Sequence, residues 1–465
     1  MFLLQANYII SLIALVIILL ITGLLEVAIK KSMIQHNIGR KILHITAILI
    51  CAYVIHKTNF RITLSYIFLT AFIFLLVAVK KKWLSVQVNN SYGIALFPLA
   101  FFILLQIEIL STKTIVFSVC MLALADAFAS IIGHNFGKHP IVFLHEPKTW
   151  IGSLTFFLTA IMITIAFYSN EEKVIAFYLL VSIVATASEL YSFKGSDNLS
   201  IPIVTAIWVH ILLQFSNHSQ LQLVLQFLYL LLAALLACYK KWLTISGALA
   251  ALVLGLFLIS AGSIKYLVTP IVFFIVGSLL SAYTNKKSVK IGRDAKQVFA
   301  NGLVGVICLM IFILSNKDVY LYAFIVSFSV SMADTVSSEI GNYCKGKTFD
   351  IISFKPTNKG LSGGISWQGT LAALLASFGI ASVTHFYIPL IPIIFLQIIF
   401  FAFTGMLVDS ILGSQLQVKY NVNKVITEQY QPSATIVKGY AWCDNNMVNF
   451  CSNIITTVIF IFFNS

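Results

Sequence analysis

The sequence predicts an all-α polytopic membrane protein, and three observations lead to this prediction. The first is composition: of 465 residues, 59% are hydrophobic and only 10% are charged, with a mean hydropathy of +0.96. The second is the grouping of apolar residues into runs of about 20, the length that a helix needs to cross a bilayer. The third is an internal repeat of one motif. Such a composition excludes a soluble globular domain.

The apolar runs predict about sixteen transmembrane helices, eight in each half of the chain. The runs lie at 8–29, 41–56, 62–79, 92–108, 113–132, 151–168, 174–192, 199–215, 220–239, 243–261, 266–284, 298–314, 319–340, 366–385, 388–413 and 447–463. The first run, Tyr8 to Ile29, is too long for a signal-peptide core, so we interpret it as a retained helix. A boundary near residue 218 gives two predicted membrane domains, 1–218 and 219–465.

The net charge of +14 comes from lysines and arginines that fall mainly in loops after the odd-numbered runs. The positive-inside rule places these loops in the cytoplasm and both termini outside, as expected for a bacterial inner (cytoplasmic) membrane. Because the charges act as orientation signals, no nucleic-acid partner is expected. The seven cysteines include no Cys-x-x-Cys pair and are interpreted as small core residues.

Four features recur in the same order in the two halves. They are an Asp, Ser and Gly at identical spacing, a lysine four residues before a glycine, an acid in the seventh run, and an Asp-Asn pair before the eighth. In the first half these are Asp126, Ser130, Gly133, Lys148, Gly152, Glu189, Asp197 and Asn198; in the second they are Asp334, Ser338, Gly341, Lys359, Gly363, Asp409, Asp444 and Asn445. Because eight runs is an even number, the halves share one orientation. We therefore predict two parallel eight-helix repeats, not the inverted repeat of many transporters.

The acids suit a divalent cation. Spacings of four and seven put Asp126, Ser130 and Gly133 on one helix face. An ionised carboxylate at membrane depth is costly unless a cation or water meets it, and Mg²⁺ binds carboxylate and phosphate oxygens. Around Asp334, Glu339 adds a further oxygen ligand. The alternative is that these aspartates cap neighbouring helices near the membrane surface.

The lysine-and-glycine segments suit an anion. A helix start offers free backbone N–H groups and a favourable dipole, and a lysine adds charge. The candidate phosphate-binding residues are Lys148, Gly152, Ser153, Lys359, Gly360, Gly363, Gly364, Ser130 and Ser338. The order differs from a Walker A loop, in which the glycines come first. Alternatively, the lysines only set orientation. Arg40, Lys41 and His44 could likewise contact phosphate or mark the cytoplasmic side.

Several of these segments resemble known families. Gly39 to His44, Ala125 to Gly133, Lys148 to Ser153 and Asp197 to Leu199 resemble the phytol kinase, dolichol kinase and phosphatidate cytidylyltransferase group. Asp294 to Gly302, Ala333 to Gly341, Lys359 to Gly364 and Asp444 to Asn449 resemble the integral-membrane family that contains plant phytyl-phosphate kinase. The resemblance implies a fusion of two successive kinases, which use CTP to convert an isoprenoid alcohol to its monophosphate and then its diphosphate.

On this hypothesis the partners are an isoprenoid alcohol or its monophosphate, CTP, Mg²⁺ and the lipid bilayer. The catalytic candidates are Asp126, Asp334, Glu189 and Asp409, the latter two as possible bases. The metal candidates are Asp126, Asp197, Asp334, Glu339 and Asp444. Two alternatives remain open: a cytidylyltransferase that forms a CDP-lipid, and a transporter or flippase of polyprenyl phosphates.

Overall fold

Helices account for most of the computed structural model. It describes residues 2–464 except 32, 34–35, 59–60, 82–91, 142–147, 216, 262, 285–291, 423–424, 429 and 432–433. Each of the sixteen predicted apolar runs overlaps one helical segment of this described part. The fold is therefore the expected all-α membrane architecture.

The helices of the first half are α1 (Phe2–Lys30), α2 (His36–Lys57), α3 (Arg61–Lys80), α4 (Gly93–Gln106), α5 (Thr112–Cys120), α6 (Ala127–Phe136), α7 (Trp150–Tyr168), α8 (Ile175–Leu190) and α9 (Asp197–Gln214). A π-helical stretch, Met121–Asp126, joins α5 to α6 without a break, so that Thr112–Phe136 is one long apolar segment.

The helices of the second half are α10 (Asn217–Tyr239), α11 (Ile245–Ser260), α12 (Val268–Thr284), α13 (Ala295–Ser315), α14 (Asp318–Tyr343), α15 (Trp367–Tyr387), α16 (Pro392–Gln415) and α17 (Asn445–Asn464). Short strands β1 (Phe349–Asp350) and β2 (Gly364–Ile365) pair antiparallel between α14 and α15. Strands β3 (Lys419–Val422), β4 (Val425–Thr427) and β5 (Thr435–Lys438) form a sheet in the order β4-β3-β5 between α16 and α17.

Eleven helices within the described residues are long and apolar enough to cross a membrane. Gly93–Gln106, Ile175–Leu190 and Ile245–Ser260 are apolar but shorter. The count of sixteen spans therefore stays a prediction, because length and composition alone support fewer crossings.

The chain divides into two compact units, Met1–Leu225 (unit 1) and Gln226–Ser465 (unit 2). In unit 1 the segment from α5 to α6 packs against α2, α7 and α9. In unit 2, α14 packs against α12, α13, α15, α16 and α17, and every residue from Ala323 to Ala333 is buried. Because other helices enclose α14, this helix can hold Asp334 within the helix bundle of unit 2.

The two units share part of their packing. In each, counted along its half, the fifth helical segment contacts the sixth and eighth, the seventh contacts the sixth and eighth, and the eighth contacts the fourth. This shared packing is consistent with the predicted repeat, but two eight-helix repeats stay a prediction. The assignment of kinase-like domains to 1–218 and 219–465 also stays a prediction.

Candidate functional site

Three acids of unit 1 come together from three helices. Asp126 ends the π-helical stretch, Glu189 lies in the last turn of α8, and Asp197 is the first residue of α9. The Asp126 carboxylate interacts electrostatically with both other acids. π-Helical turns are rare and often occur at functional sites. The structure thus gathers acids that the sequence only placed in matching runs.

Lys148 balances part of this negative charge. Its Nζ lies 2.6 Å from Glu189 Oε1, with the two side chains only 14% and 10% exposed. It also donates to the Glu189 carbonyl and, at 3.0 Å, to Ser192 Oγ. Burial makes this ion pair much less screened than a surface pair. The lysine therefore lies within the acid cluster.

Lys41 of α2 adds a second cation. It interacts electrostatically with Asp126, and its role as a phosphate contact stays a prediction. The side chain of Arg40 lies outside the described part of the chain. Asp126 therefore interacts with two further carboxylates and two ammonium groups, which come from four other segments of unit 1.

The start of α7 is built around a glycine crossing. Thr149 caps the helix by accepting from the Gly152 N–H at 3.1 Å. A Cβ on Gly133 would lie 3.1 Å from the Gly152 Cα, so these two glycines let α6 and α7 pack backbone to backbone. Ser153 is buried and Ser130 is exposed. Thr149 therefore already satisfies the Gly152 amide that the sequence assigned to an anion.

Unit 2 contains a pair of acids. Asp409 of α16 is buried and interacts electrostatically with Asp334 of α14. Ser452 Oγ of α17 donates to Asp409 Oδ2 at 2.8 Å. With its amide oriented to donate, Asn449 lies 3.2 Å from the same oxygen. Asp409 thus contacts a second acid and two neutral hydrogen-bond donors.

Other predicted residues of unit 2 lie in different surroundings. Glu339 accepts from Thr284 Oγ1 and interacts electrostatically with Arg293. Asp444 precedes α17 and accepts from the Met447 N–H at 2.9 Å, as a helix cap does. Ser338 is exposed and donates to the Thr335 carbonyl. These contacts do not support the predicted roles of Glu339 and Asp444 as metal ligands or of Ser338 as a phosphate ligand. The three roles stay predictions.

The glycine segment of unit 2 is a loop. Gly360 and Gly363 have φ of +82° and +84°, the left-handed region that favours glycine. The prediction of a helix start at Gly363 is wrong, because α15 begins at Trp367. A Cβ on Gly363 would lie 2.7 Å from the Ser414 backbone nitrogen. This glycine therefore serves a close approach between the loop and α16.

The sheet between α16 and α17 holds this loop in place. Glu428 accepts from Ser362 N–H at 2.6 Å, from Ser362 Oγ at 3.0 Å and from Gln417 Nε2 at 2.7 Å. Lys419 Nζ donates to the Ser362 carbonyl at 2.8 Å, and burial lowers the pKa of Lys419. Lys359 donates to the Cys344 carbonyl. Sequence reasoning missed Glu428 and Lys419, which follow the loop by more than fifty residues.

Asp350 fixes the preceding turn. Partial burial acts to raise its pKa, but hydrogen bonds from Ser414, Ser353 and the Ile352 N–H outweigh that effect and lower the pKa to about 2. The Ser414 Oγ bond is 2.6 Å long. This ionised carboxylate ties the loop that carries β1 to the end of α16.

The structural counterpart of the α7 start is the start of α15. Ser366 caps α15 by accepting from the Gly369 N–H at 3.2 Å, and Gly341 of α14 lies beside it, where a Cβ would meet Ser366 Oγ at 3.0 Å. The matched segments are Thr149-Trp150-Ile151-Gly152 and Ser366-Trp367-Gln368-Gly369. A Ser or Thr before Trp-x-Gly was visible in the sequence, but the lysine spacing paired Gly152 with Gly363 instead.

The carboxylates fit a magnesium ion that is shared with a phosphate-bearing ligand. Mg²⁺ is usually bound by one or two protein carboxylates together with substrate phosphates and water. Asp126 with Asp197, and Asp334 with Asp409, supply such oxygens. Within the described part of the chain, no group of three or more His, Cys, Asp or Glu side chains is arranged to hold a metal ion. Magnesium binding therefore stays a prediction.

Comparison with known proteins gives the family. Residues 228–457 match the family described as integral membrane protein DUF92. An uncharacterized membrane protein of Methanocaldococcus jannaschii, MJ0933, is 30% identical over 224 residues, which cover 47% of this chain and 92% of that protein. The chain belongs to the DUF92 family. It is an integral membrane protein, and the match lies in its second half.

Two other relatives carry names that bear on function. Protein VTE6, chloroplastic, of Arabidopsis thaliana is 28% identical over 221 residues, covering 44% of this chain and 61% of that protein. Phytol kinase of Synechocystis sp. is 31% identical over 93 residues, covering 19% of this chain and 40% of that enzyme. No solved structure matches the chain. The fusion of two kinase halves stays a prediction.

Proposed function

We propose that this DUF92 protein is a membrane lipid kinase that phosphorylates an isoprenoid alcohol in unit 1 and the resulting monophosphate in unit 2, with CTP as donor. The observation that carries the proposal is the cluster of Asp126, Glu189, Asp197, Lys148 and Lys41. Phosphoryl transfer needs mainly positioning and charge neutralisation, and a cluster of acids and lysines provides both. The similarity to a protein named phytol kinase adds support.

In unit 1, Asp126 and Asp197 would hold Mg²⁺. When bound, Mg²⁺ neutralises the negative charge of a nucleotide's phosphates. Lys41 and Lys148 supply positive charge for the same phosphates. Lys148 is paired with Glu189. A small movement of the lysine side chain would let its ammonium group leave the Glu189 carboxylate and bind a phosphate instead. Glu189, released in that exchange, is then placed to accept the proton of the alcohol.

In unit 2, Asp334 and Asp409 would hold the cation. Ser452 and Asn449 fix the orientation of the Asp409 carboxylate, leaving its other oxygen for a ligand. The acceptor here is a monophosphate, so the ammonium groups that meet it come from the basic loop around Lys347 and Lys359. The proposal places both sites on the cytoplasmic side, following the lysine distribution.

The test is a lipid-product assay on the purified full chain with radiolabelled CTP and phytol or geranylgeraniol. We expect the alcohol to become a monophosphate and then a diphosphate, with CDP released. Asp126→Ala should abolish the first step, and Asp334→Ala should stop the reaction at the monophosphate, each by about 10²-fold or more. The matched control is Asp318→Ala, at the opposite end of α14, which should retain both steps.

Three results would contradict the proposal. Release of pyrophosphate with a CDP-lipid product would indicate a cytidylyltransferase. Nucleotide-independent movement of prenyl phosphates across liposomes, without a phosphorylated product, would indicate a transporter. Retention of both steps in either Asp variant would remove the site assignment.

A further inference from the structure

A cavity of about 780 Å³ lies beside the start of α15. Its walls include Lys347, Phe354, Trp367, Leu371, Leu374 and Phe403. Its volume is in the range of sites that enclose a small molecule, about 300–1,000 Å³. Neither the acids nor the glycine loop line it, and Lys347 is the one residue of the proposed function that does.

One side of this cavity is a continuous apolar face. Trp367, Leu371 and Leu374 are four and three residues apart, so they lie on one face of α15. They extend about 10 Å along the helix axis. All three are at least 40% exposed in the structure, although α15 is long and apolar enough to cross a membrane. The apolar side of the cavity is therefore suited to contact a hydrocarbon chain.

The end of the cavity beside the first turn of α15 is polar and basic. Lys347, Ser366 and Gln368 line it. Gly346 lies directly against the Gln368 amide, because a Cβ there would be 2.3 Å from Gln368 Oε1. That contact brings the Lys345–Lys347 segment onto the first turn of α15. An ammonium group at the end of an apolar groove is complementary to an anionic lipid head.

The aromatic side chain at the mouth is held by an unusual backbone. Phe354 has φ of +55°, a conformation that bulky residues seldom adopt, and its side chain is 75% exposed. The Phe354 N–H donates to the Asp350 carbonyl at 2.9 Å, and the Asp350 carboxylate accepts from Ser353. Unfavourable geometry that is maintained by its surroundings is common at ligand sites.

The cavity shares a wall with α16, the helix that carries Asp409. Phe403 lines the cavity and also packs against the cluster of Ala333, Ala373, Ala402 and Met406. Ala333 immediately precedes Asp334 on α14. The groove therefore borders the packed cluster between the helices that carry Asp334 and Asp409.

We propose that this groove binds the acceptor of the second step: a single-chain isoprenyl monophosphate, with its chain along Trp367, Leu371 and Leu374 and its phosphate at Lys347. The proposal rests on the proposed function for the identity of the acceptor. The combination of one narrow apolar face and one basic end favours a single chain with an anionic head over a two-chain phospholipid.

The experiment measures binding without nucleotide, so that it is independent of catalysis. Radiolabelled geranylgeranyl monophosphate is titrated onto the purified full chain in detergent. Leu374→Trp, which fills the groove, should weaken binding about tenfold. Leu375→Trp is the matched control, because Leu375 is 63% exposed on the same helix but does not line the cavity, and its affinity should stay within about twofold of wild type.

A second pair of variants tests the head group. Lys347→Gln should reduce the preference for geranylgeranyl monophosphate over geranylgeraniol, whereas Lys345→Gln, which is not in the cavity wall, should leave it unchanged. If the groove variants fold poorly, a diazirine-bearing prenyl monophosphate on the wild-type chain replaces them. We expect its cross-links in the segment 367–374.

The inference is overturned by equal affinities of Leu374→Trp and Leu375→Trp, by cross-links confined to other segments, or by equally strong competition from phosphatidic acid or inorganic phosphate. Groove-dependent binding without any phosphorylation would overturn the proposed function and leave the groove as a lipid-phosphate site. Phosphorylation that does not depend on the groove would support the proposed function and overturn the groove as the acceptor site.

Discussion

The acid sites of the two units have similar helical scaffolds but balance their negative charge differently. In unit 1, Asp126 lies within the influence of Lys148 and Lys41. In unit 2, Asp409 faces Asp334 and accepts from Ser452. The first site contains its own cations. At the second, Asp409 contacts another acid and neutral donors, and our proposal assigns the neutralising charge to a bound cation.

The segments that carry the two aspartates also differ. Asp126 ends a π-helical stretch, whereas Asp334 lies in the continuous α-helix α14. The loops after them differ as well: in unit 2, Glu428 and Lys419 hold the glycine loop. The comparison teaches that helix caps and glycine crossings set the scaffold, while the charges can be supplied from different elements.

The largest difference in stability should come from the two lysines that the sequence paired. Lys148→Met leaves Glu189 buried beside Asp126 without its cation, so we expect the free energy of unfolding to fall by about 3 kcal/mol. Lys359→Met, on an exposed lysine, should change it by less than about 0.5 kcal/mol. Unfolding in SDS titrations measures both. Comparable losses would contradict the buried ion pair, and adding Glu189→Gln to Lys148→Met should restore part of the loss.

The glycine crossings should respond unequally to alanine. A Cβ on Gly369 would lie 2.8 Å from the Ser337 carbonyl oxygen, whereas on Gly152 the nearest backbone atom of α6 is Ala129 O at 3.3 Å. We expect Gly369→Ala to cost about 1–3 kcal/mol. For Gly152→Ala, the gain in helix propensity of about 1 kcal/mol offsets most of the strain. The same SDS titrations compare them, and a larger loss at Gly152 would reverse the conclusion.

The helix caps should have equal effects in the two units. Thr149→Ala and Ser366→Ala each remove a side-chain acceptor at a helix start, so each should cost about 1 kcal/mol. Thr155→Ala, at a half-buried position within α7 that caps no helix, is the control and should change little. Thermal unfolding in detergent measures all three. A cap effect in only one unit would argue against a shared Ser/Thr-Trp-x-Gly element.

The smallest expected effect is the local response of the unit 2 loop to acid. Asp350 has a pKa of about 2 in the folded protein, below its ordinary value of 3.8. Its contribution is therefore complete above about pH 4 and is lost as the pH falls towards 2. Hydrogen exchange at Ile352 and Ser353, corrected for intrinsic rates, should accelerate over that window. In Asp350→Asn the corrected rate should not depend on pH, and a pH-dependent rate there would implicate another group.

Much of the scaffold was predictable from the sequence. Apolar runs of membrane-spanning length predicted the positions of the helices, because every backbone group in lipid must be satisfied within its own segment. The scarcity of acids made their recurrence informative, and the structure brings Asp126, Glu189 and Asp197 together, as it does Asp334 and Asp409. Their chemical roles stay predictions.

The tertiary structure decided the rest. It paired Gly152 with Gly369 rather than Gly363, because a crossing glycine is defined by the helix that approaches it and not by its distance from a lysine. It placed Lys148 on Glu189, and Glu428 on the glycine loop, through contacts between residues far apart in the chain. It also formed the groove at Trp367, Leu371 and Leu374, since an apolar helix face becomes a binding site only where its neighbours leave it uncovered.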